Sequence, residues 1–305
     1  MSPVTVLVPH AQGAEILSEV DGLHPVVYDP EKPLPDEAAT ARALVAPFLA
    51  SSDAVELTTT MPQLEIVQLL TAGAEAWIGR LRDGIALSDG RGAHGGATAE
   101  WVVSVLLAVY RHLDRFVRAQ DRGVWDYHQT EELAGKRILL VGAGDVGEKT
   151  RARLAPFDVE VTMVGRTARD GVHGWDELPR LLGEHDATVV VVPLTDETRG
   201  MIDAEFLAAM PDGALLVNGA RGPVCDTDAL LAELQSGRIR AAVDVTDPEP
   251  LPEGHPLFSA PGLLLTPHVG GSVPLAMRRA YGVAAEQLAV FARGERPPNL
   301  VTGAY

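Results

Sequence analysis

At 305 residues the chain is long enough for two domains, and an apolar share of 46% is ordinary for a globular protein. Forty-two Asp and Glu against 25 Lys and Arg leave a net charge of −17, a field that repels nucleic acid and anionic membranes and argues against either as a partner. The longest apolar run, Val102 to Tyr110, is interrupted by Ser104 and falls far short of the roughly 20 residues of a membrane span.

The opening "MSPVTVLVPH" lacks a basic stretch leading into an apolar core, so it reads as a first strand and not as a signal peptide. A single cysteine, Cys225, cannot make an internal disulfide. Both features suit a cytoplasmic protein. Short strand-like runs follow at "VTVLV", "VVYD", "LVAPF" and "IVQLLT", with helical segments between them, and predict a smaller α/β domain over residues 1–94. After the fourth run comes "TAGAE", Thr71 to Glu75, whose small residues expose backbone N–H groups to an anion. A plain strand-to-helix turn is the other reading of that loop. Residues 98–120 read as one long helix in which Trp101, Val105, Leu106, Val109, Leu113, Phe116 and Val117 recur at helical spacing. Its apolar residues cover more than one face, as expected of a helix that packs between domains or on a twin subunit.

From residue 137 the chain alternates strand and helix. Apolar runs at Ile138–Val141, Val159–Val164, Thr188–Val192, Leu215–Val217, Ala241–Val245 and Leu263–Thr266 are separated by segments such as "EKTRARLAPF" and "TDALLAELQSGR". This pattern predicts a doubly wound parallel sheet covered on both faces. Ligands of such sheets bind beyond the carboxyl ends of the strands. The segments that follow the six runs are "GAGDVG", "GRT", "PLT", "NGARG", "DVTDPEP" and "PHVGG". They place Arg221, the acids after Val243 and His268 along one edge.

The first of these segments, Gly142-Ala143-Gly144-Asp145-Val146-Gly147, matches the GxGxxG turn that seats a pyrophosphate on a helix N-terminus. NAD-binding chains carry an acid after the second strand to hold the ribose 2′-hydroxyl. Here Gly165 is followed by Arg166 and Thr167, and an arginine suits a 2′-phosphate, so NADP(H) is the expected cofactor. The alternative is that Arg166 is a solvated loop residue.

His268 follows the last apolar run, and Glu249 follows the one before it. A carboxylate beside an imidazole fixes the ring and favours its protonated form, which makes a usable acid near neutrality. Arg221 offers a planar fork matched to a carboxylate or a polarised carbonyl. A nicotinamide, a proton donor and a carboxylate clamp together describe reduction of a 2-oxo acid. The other eight histidines show no HxxxH or HExxH pattern, so no metal site is expected. From about Leu275 the chain reads as a helix returning to the first domain. The expected division is therefore 1–94 with 275–305 as substrate domain and 95–274 as nucleotide domain.

Over nearly its whole length the sequence resembles the D-isomer-specific 2-hydroxyacid dehydrogenases. "VGAGDVG", "VVPLTDETRGMID", "LLVNGARGPVCDTDAL", "AAVDVTDPEP", "HPLF" and "LLTPHVGGS" occur in that family's order and near its spacing. The resemblance implies a Rossmann-type nucleotide domain beside a smaller flavodoxin-like substrate domain, and a homodimer formed through the 98–120 region. It also implies roles: Arg221 binding the carboxylate and carbonyl, His268 exchanging the proton, Glu249 supporting the imidazole, and Ala72, Gly73 and Ala74 holding the substrate carboxylate. Val192, Pro193, Thr198, Ala220, Asp244 and Gly270 match cofactor-lining positions, Asp244 that of the nicotinamide carboxamide. Two positions depart from the pattern: Thr246 stands where Phe or Tyr is frequent, and Gly219 replaces a larger residue. The Gly-Arg-Thr after the second strand is of the kind found in NADPH-using glyoxylate and hydroxypyruvate reductases of the family. The rival readings are a relative acting on formate or a bulkier 2-oxo acid, and a non-catalytic dinucleotide-sensing protein. Phe48, Leu49 and Trp125 are candidates to shape the substrate pocket.

Overall fold

The computed structural model describes residues 3–48 and 52–301. The chain divides into two compact units, Met1–His94 with Val273–Tyr305, and Gly95–Ser272. The first unit opens with β1 (Val4–Val8), α1 (Ala11–Ser18), β2 (Leu23–Val27), β3 (Ala43–Val45), β4 (Ile66–Gln68) and β5 (Ala86–Ser88). The five strands form a parallel sheet in the order β2-β1-β3-β4-β5, the flavodoxin-like arrangement. Alternation decides where side chains go. Val4, Val6 and Val8 enter one apolar cluster and Leu7 the other, so β1 is buried on both faces and reads as a continuous apolar run.

The second unit contains α2 (Gly95–Tyr110), α3 (Leu113–Asp121), β6 (Arg137–Val141), α4 (Asp145–Leu154), β7 (Glu160–Val164), α5 (Leu178–Leu182) and β8 (Ala187–Val190). It continues with α6 (Ala204–Ala209), β9 (Leu215–Asn218), α7 (Thr227–Ser236), β10 (Arg240–Val243) and β11 (Leu263–Leu265). Its six-stranded sheet is parallel throughout, ordered β11-β10-β9-β8-β6-β7. Leu139 and Val141 face one apolar cluster, Ile138 and Leu140 the other. Helix α7 starts where the sequence marks a cap: the Asp226 side chain accepts from the N–H groups of Asp228 and Ala229. The last helix, α8 (Ala276–Ala292), packs Ala280, Tyr281, Ala284 and Leu288 into the β1 side of the first unit.

Residues 98–120 are not one helix. Helix α2 stops at Tyr110 and α3 begins at Leu113, because His112 takes the left-handed conformation at φ 52°. Side-chain contacts hold the break. His112 Nδ1 lies 3.0 Å from His128 Nε2, and the His128 ring stacks on both His112 and Phe116. Among the described residues no helix is long and apolar enough to cross a membrane.

Candidate active site

The strand order of the second sheet reverses at the seam between β6 and β8, with β7 lying beyond β6 and β9 to β11 beyond β8. Ligands of open α/β sheets settle at such a switch point. Two segments meet there, Gly142–Gly147 after β6 and Val191–Thr195 after β8. Gly142 sits at φ +118°, and a Cβ on it would lie 2.7 Å from the Val191 carbonyl oxygen, so this turn requires glycine. Gly147 packs directly on the carbonyl of Gly142 and has no room for a side chain. Gly144 is different: a Cβ there would meet open space.

That open space faces the start of α4, whose first backbone N–H groups have no partner within the helix. The Asp145 carboxylate, which would oppose an anion, is held by Lys149 at 2.7 Å and rests against Gly95. Val146 is half-buried beside it. This turn therefore fits a pyrophosphate, with the room and the donors such a group needs.

Past β7, Arg166 and Thr167 are exposed. Arg166 Nη2 lies 2.6 Å from Glu197 Oε1, while Arg169 donates to the Ala143 carbonyl at 2.6 Å. Arg166 is thus engaged by a surface acid and Arg169 by the glycine turn itself. Val192 is buried and Pro193 exposed. Thr198 is buried, and its hydroxyl donates to the Pro193 carbonyl at 2.7 Å while accepting from the Thr195 N–H, so it shapes the loop after β8.

Strands β9, β10 and β11 are neighbours, and past their carboxyl ends lie Arg221, Glu249 and His268 respectively. Arg221 follows β9 by three residues and donates to the Ala220 carbonyl at 2.8 Å. Ala220 is buried, its N–H held by the Asn218 side chain. Gly222 packs on the Thr246 carbonyl with no space for a Cβ, and Thr227 donates to the Asp247 carbonyl at 2.7 Å. The loop bearing Arg221 is thereby pressed against the loop that carries Glu249. Glu249 in turn accepts from His268: its Oε1 is 2.5 Å from Nδ1, with both side chains 40% exposed. That contact places a proton on Nδ1 and turns Nε2 away from the carboxylate.

His268 is one of three non-glycine residues with positive φ among the described residues, at 54°. Such a conformation costs of order 1–3 kcal/mol and persists only where the surroundings enforce it. Asp244, 5% exposed, supplies the enforcement. Its carboxylate accepts from Val269 N at 2.9 Å, Gly270 N at 2.8 Å and Thr266 Oγ1 at 2.6 Å, and its carbonyl accepts from His268 N at 2.7 Å. Asp244 and Gly270 thus meet each other directly.

The remaining expected site residues lie in the first unit. Ala72 and Gly73 are half-buried in the loop after β4, and Thr71 Oγ1 donates to the Gly73 carbonyl at 3.0 Å. The Ala74 side chain is buried in the unit's apolar core, which leaves only its backbone for a ligand. Phe48 packs against the other core cluster with its ring 5.7 Å from that of His94. Leu49 lies outside the described residues. Trp125 is 95% exposed in the segment after α3. Cys225 is buried, and burial pushes its thiol up to about 12, which removes it as a nucleophile. Among the described residues no group of three His, Cys, Asp or Glu side chains is placed to hold a metal ion.

Two contributors were not among the expected site residues. Trp101, in α2, donates its indole N–H to Thr266 Oγ1 at 3.0 Å, across 165 positions. Glu197 pairs with Arg166 across 31 positions.

Residues 103–270 match the family described as D-isomer specific 2-hydroxyacid dehydrogenase, NAD binding domain. A glyoxylate reductase of Thermofilum pendens is 39% identical over 221 residues, covering 67% of this chain and 64% of that protein. A glyoxylate reductase of Aeropyrum pernix is 32% identical over 299 residues, covering 90% and 88%. Among solved structures, a D-isomer specific 2-hydroxyacid dehydrogenase from Xanthobacter autotrophicus Py2, in complex with NADPH and MES, superposes with a TM-score of 0.84. It is 30% identical and aligns over 99% of this chain and 98% of that one. The chain spans just under two thirds of the Thermofilum pendens protein, 64%.

Proposed function

Because the chain belongs to the D-isomer specific 2-hydroxyacid dehydrogenase family, we propose that it reduces a small 2-oxo acid of the glyoxylate or hydroxypyruvate type to the D-2-hydroxy acid with NADPH. The observation that carries this reading is the His268–Glu249 hydrogen bond beside the Arg221 loop, on the sheet that also bears the glycine turn. Gly95–Ser272 is the nucleotide domain in this reading, and the first unit is the substrate domain.

When bound, the dinucleotide supplies a hydride to C2 of the oxo acid. The residues do the rest. Gly142, Gly144 and Gly147, with Asp145 and Val146, form the phosphate turn, and Arg166 and Thr167 take the 2′-phosphate. Val192, Pro193, Thr198, Ala220, Asp244 and Gly270 line the remainder. The Arg221 guanidinium binds the substrate carboxylate and polarises its carbonyl; in the first unit the loop of Ala72, Gly73 and Ala74 offers backbone N–H groups to a carboxylate. The carbonyl oxygen gains negative charge as the hydride arrives, and His268 gives it the proton from Nε2. Glu249 holds Nδ1–H throughout, so the ring is aimed. A choice of NADPH over NADH rests on Arg166 and on the absence of an acid at the place expected just after β7, Asp170 being a weak candidate for an NAD reading. The relatives named glyoxylate reductase support a small substrate.

The protein also pairs with a second copy in this proposal. Helix α3 exposes Leu113 and Val117, and the segment after it exposes Val124, Trp125 and Tyr127, a strip too apolar to suit water. Helix α2 instead buries Val102, Val105, Leu106 and Val109 in its own unit. The single buried cysteine fits a cytoplasmic setting.

Steady-state turnover of glyoxylate, hydroxypyruvate and phenylpyruvate, each with NADPH and with NADH, and of formate with NADP+ and with NAD+, tests the assignment. Highest kcat/KM on glyoxylate or hydroxypyruvate with NADPH is expected. Preference for phenylpyruvate, formate or NADH overturns the corresponding part. No turnover on any of the four substrates points to a dinucleotide sensor.

A further inference from the structure

We propose that Trp101 is a positioning residue for His268, acting through Thr266 and Asp244; this rests on the assignment of His268 as the proton donor. The polarity of the chain of hydrogen bonds is determined by its members. An indole N–H only donates, so Thr266 Oγ1 accepts from Trp101 at 3.0 Å, and the single hydroxyl proton goes to Asp244 Oδ1 at 2.6 Å. Asp244 then receives the N–H groups of His268, Val269 and Gly270, three consecutive residues of the turn. A backbone held at φ 54° for His268 needs that anchorage. Loosen the Thr266 hydroxyl and the carboxylate is free to rotate, taking both later amides with it.

The same indole also touches the arginine loop. A Cβ at Gly270 would lie 3.3 Å from Trp101 Cγ, and one at Gly219 would lie 3.1 Å from its ring. Gly219 stands two residues before Arg221 and Gly270 two after His268. One flat side chain from α2 therefore lies against the loops after β9 and β11, whose charged groups must keep a set separation. Gly219, having no side chain, leaves the room that the ring takes.

Three variants separate hydrogen bonding from packing: Trp101→Phe keeps a ring on the two glycines without the donor, Thr266→Val removes the hydroxyl, and Thr266→Ser retains it. Hydrogen exchange of the Val269 and Gly270 amides reads the brace with no turnover involved. Exchange should quicken about tenfold in Trp101→Phe and Thr266→Val, the scale of one lost hydrogen bond, and stay at the wild-type rate in Thr266→Ser. Turnover number should fall about tenfold in the first two variants, and Thr266→Ser should restore it. The double variant should be no slower than Thr266→Val alone, since both act through one chain. Unchanged amide exchange in Trp101→Phe and Thr266→Val overturns the proposal, and so does a Thr266→Ser variant as impaired as Thr266→Val. If exchange responds as described while the wild-type protein reduces no 2-oxo acid, the brace stands and the assigned reaction falls.

Discussion

Glu249 and His268 stand on loops after adjacent strands, and the carboxylate oxygen of the first is 2.5 Å from Nδ1 of the second. Nineteen positions of chain separate them. The contact has two consequences for an acid–base histidine: it decides which ring nitrogen faces substrate, and it places a negative charge beside the ring.

Replacing the charge while keeping the shape tests the second consequence. Glu249→Gln should lower kcat by roughly 10- to 100-fold, within the range that general acid–base catalysis contributes. NADPH affinity should not change, because Glu249 touches no part of the glycine turn. Equal kcat in wild type and variant would remove Glu249 from the mechanism.

Arg166 has a partner before any phosphate reaches it, since Glu197 holds its guanidinium at 2.6 Å. Both side chains are exposed, so the pair is worth at most about 1 kcal/mol. Glu197→Gln should therefore tighten NADPH binding by no more than about fivefold. Arg166→Ala should weaken it about tenfold or more, the scale of a lost charged hydrogen bond, and leave NADH untouched. Parallel titrations with the two cofactors decide it, and an equal loss for both would show that Arg166 does not read the 2′-phosphate.

Two glycines of the turn should fail in different ways. Gly144→Ala adds a methyl into open space at an ordinary extended backbone, so Tm should hold while NADPH binding is lost. Gly142→Ala forces a Cβ against the Val191 carbonyl at positive φ, and should cost about 1–3 kcal/mol of stability. Thermal melts beside cofactor titrations separate the two. Intact NADPH binding in Gly144→Ala would move the pyrophosphate elsewhere.

Val117, 57% exposed on α3, lies in the apolar strip proposed to meet a second copy. Val117→Glu with Trp125→Glu should convert a dimer to a monomer in light scattering, without lowering the folded fraction. A wild-type protein that is monomeric at micromolar concentration would contradict the pairing.

Much of the second sheet was legible in advance because each of its six strands is nearly continuous in apolar residues, the mark of burial on both faces. Strand β5 leaves no such mark: its three residues, Ala86 to Ser88, are too few to show a period. The break at His112 was hidden because apolar spacing runs on from Val109 to Leu113, and the contacts that hold the kink come from His128, sixteen residues away. In the site, the glycine turn and the charged residues at strand ends could be named from local pattern alone. Trp101 could not, since its partner Thr266 is 165 positions distant and tryptophan at an apolar helix position reads as core. The engagement of Arg166 by Glu197 is equally invisible to motif reading.

The central claim is that His268 donates the proton to the reduced carbonyl. Its most direct test is kcat for glyoxylate and hydroxypyruvate in His268→Gln, with NADPH binding measured on the same sample. Turnover should fall by about 10²–10⁴-fold while the NADPH dissociation constant stays within about twofold of wild type. A variant that turns over at the wild-type rate would contradict the account.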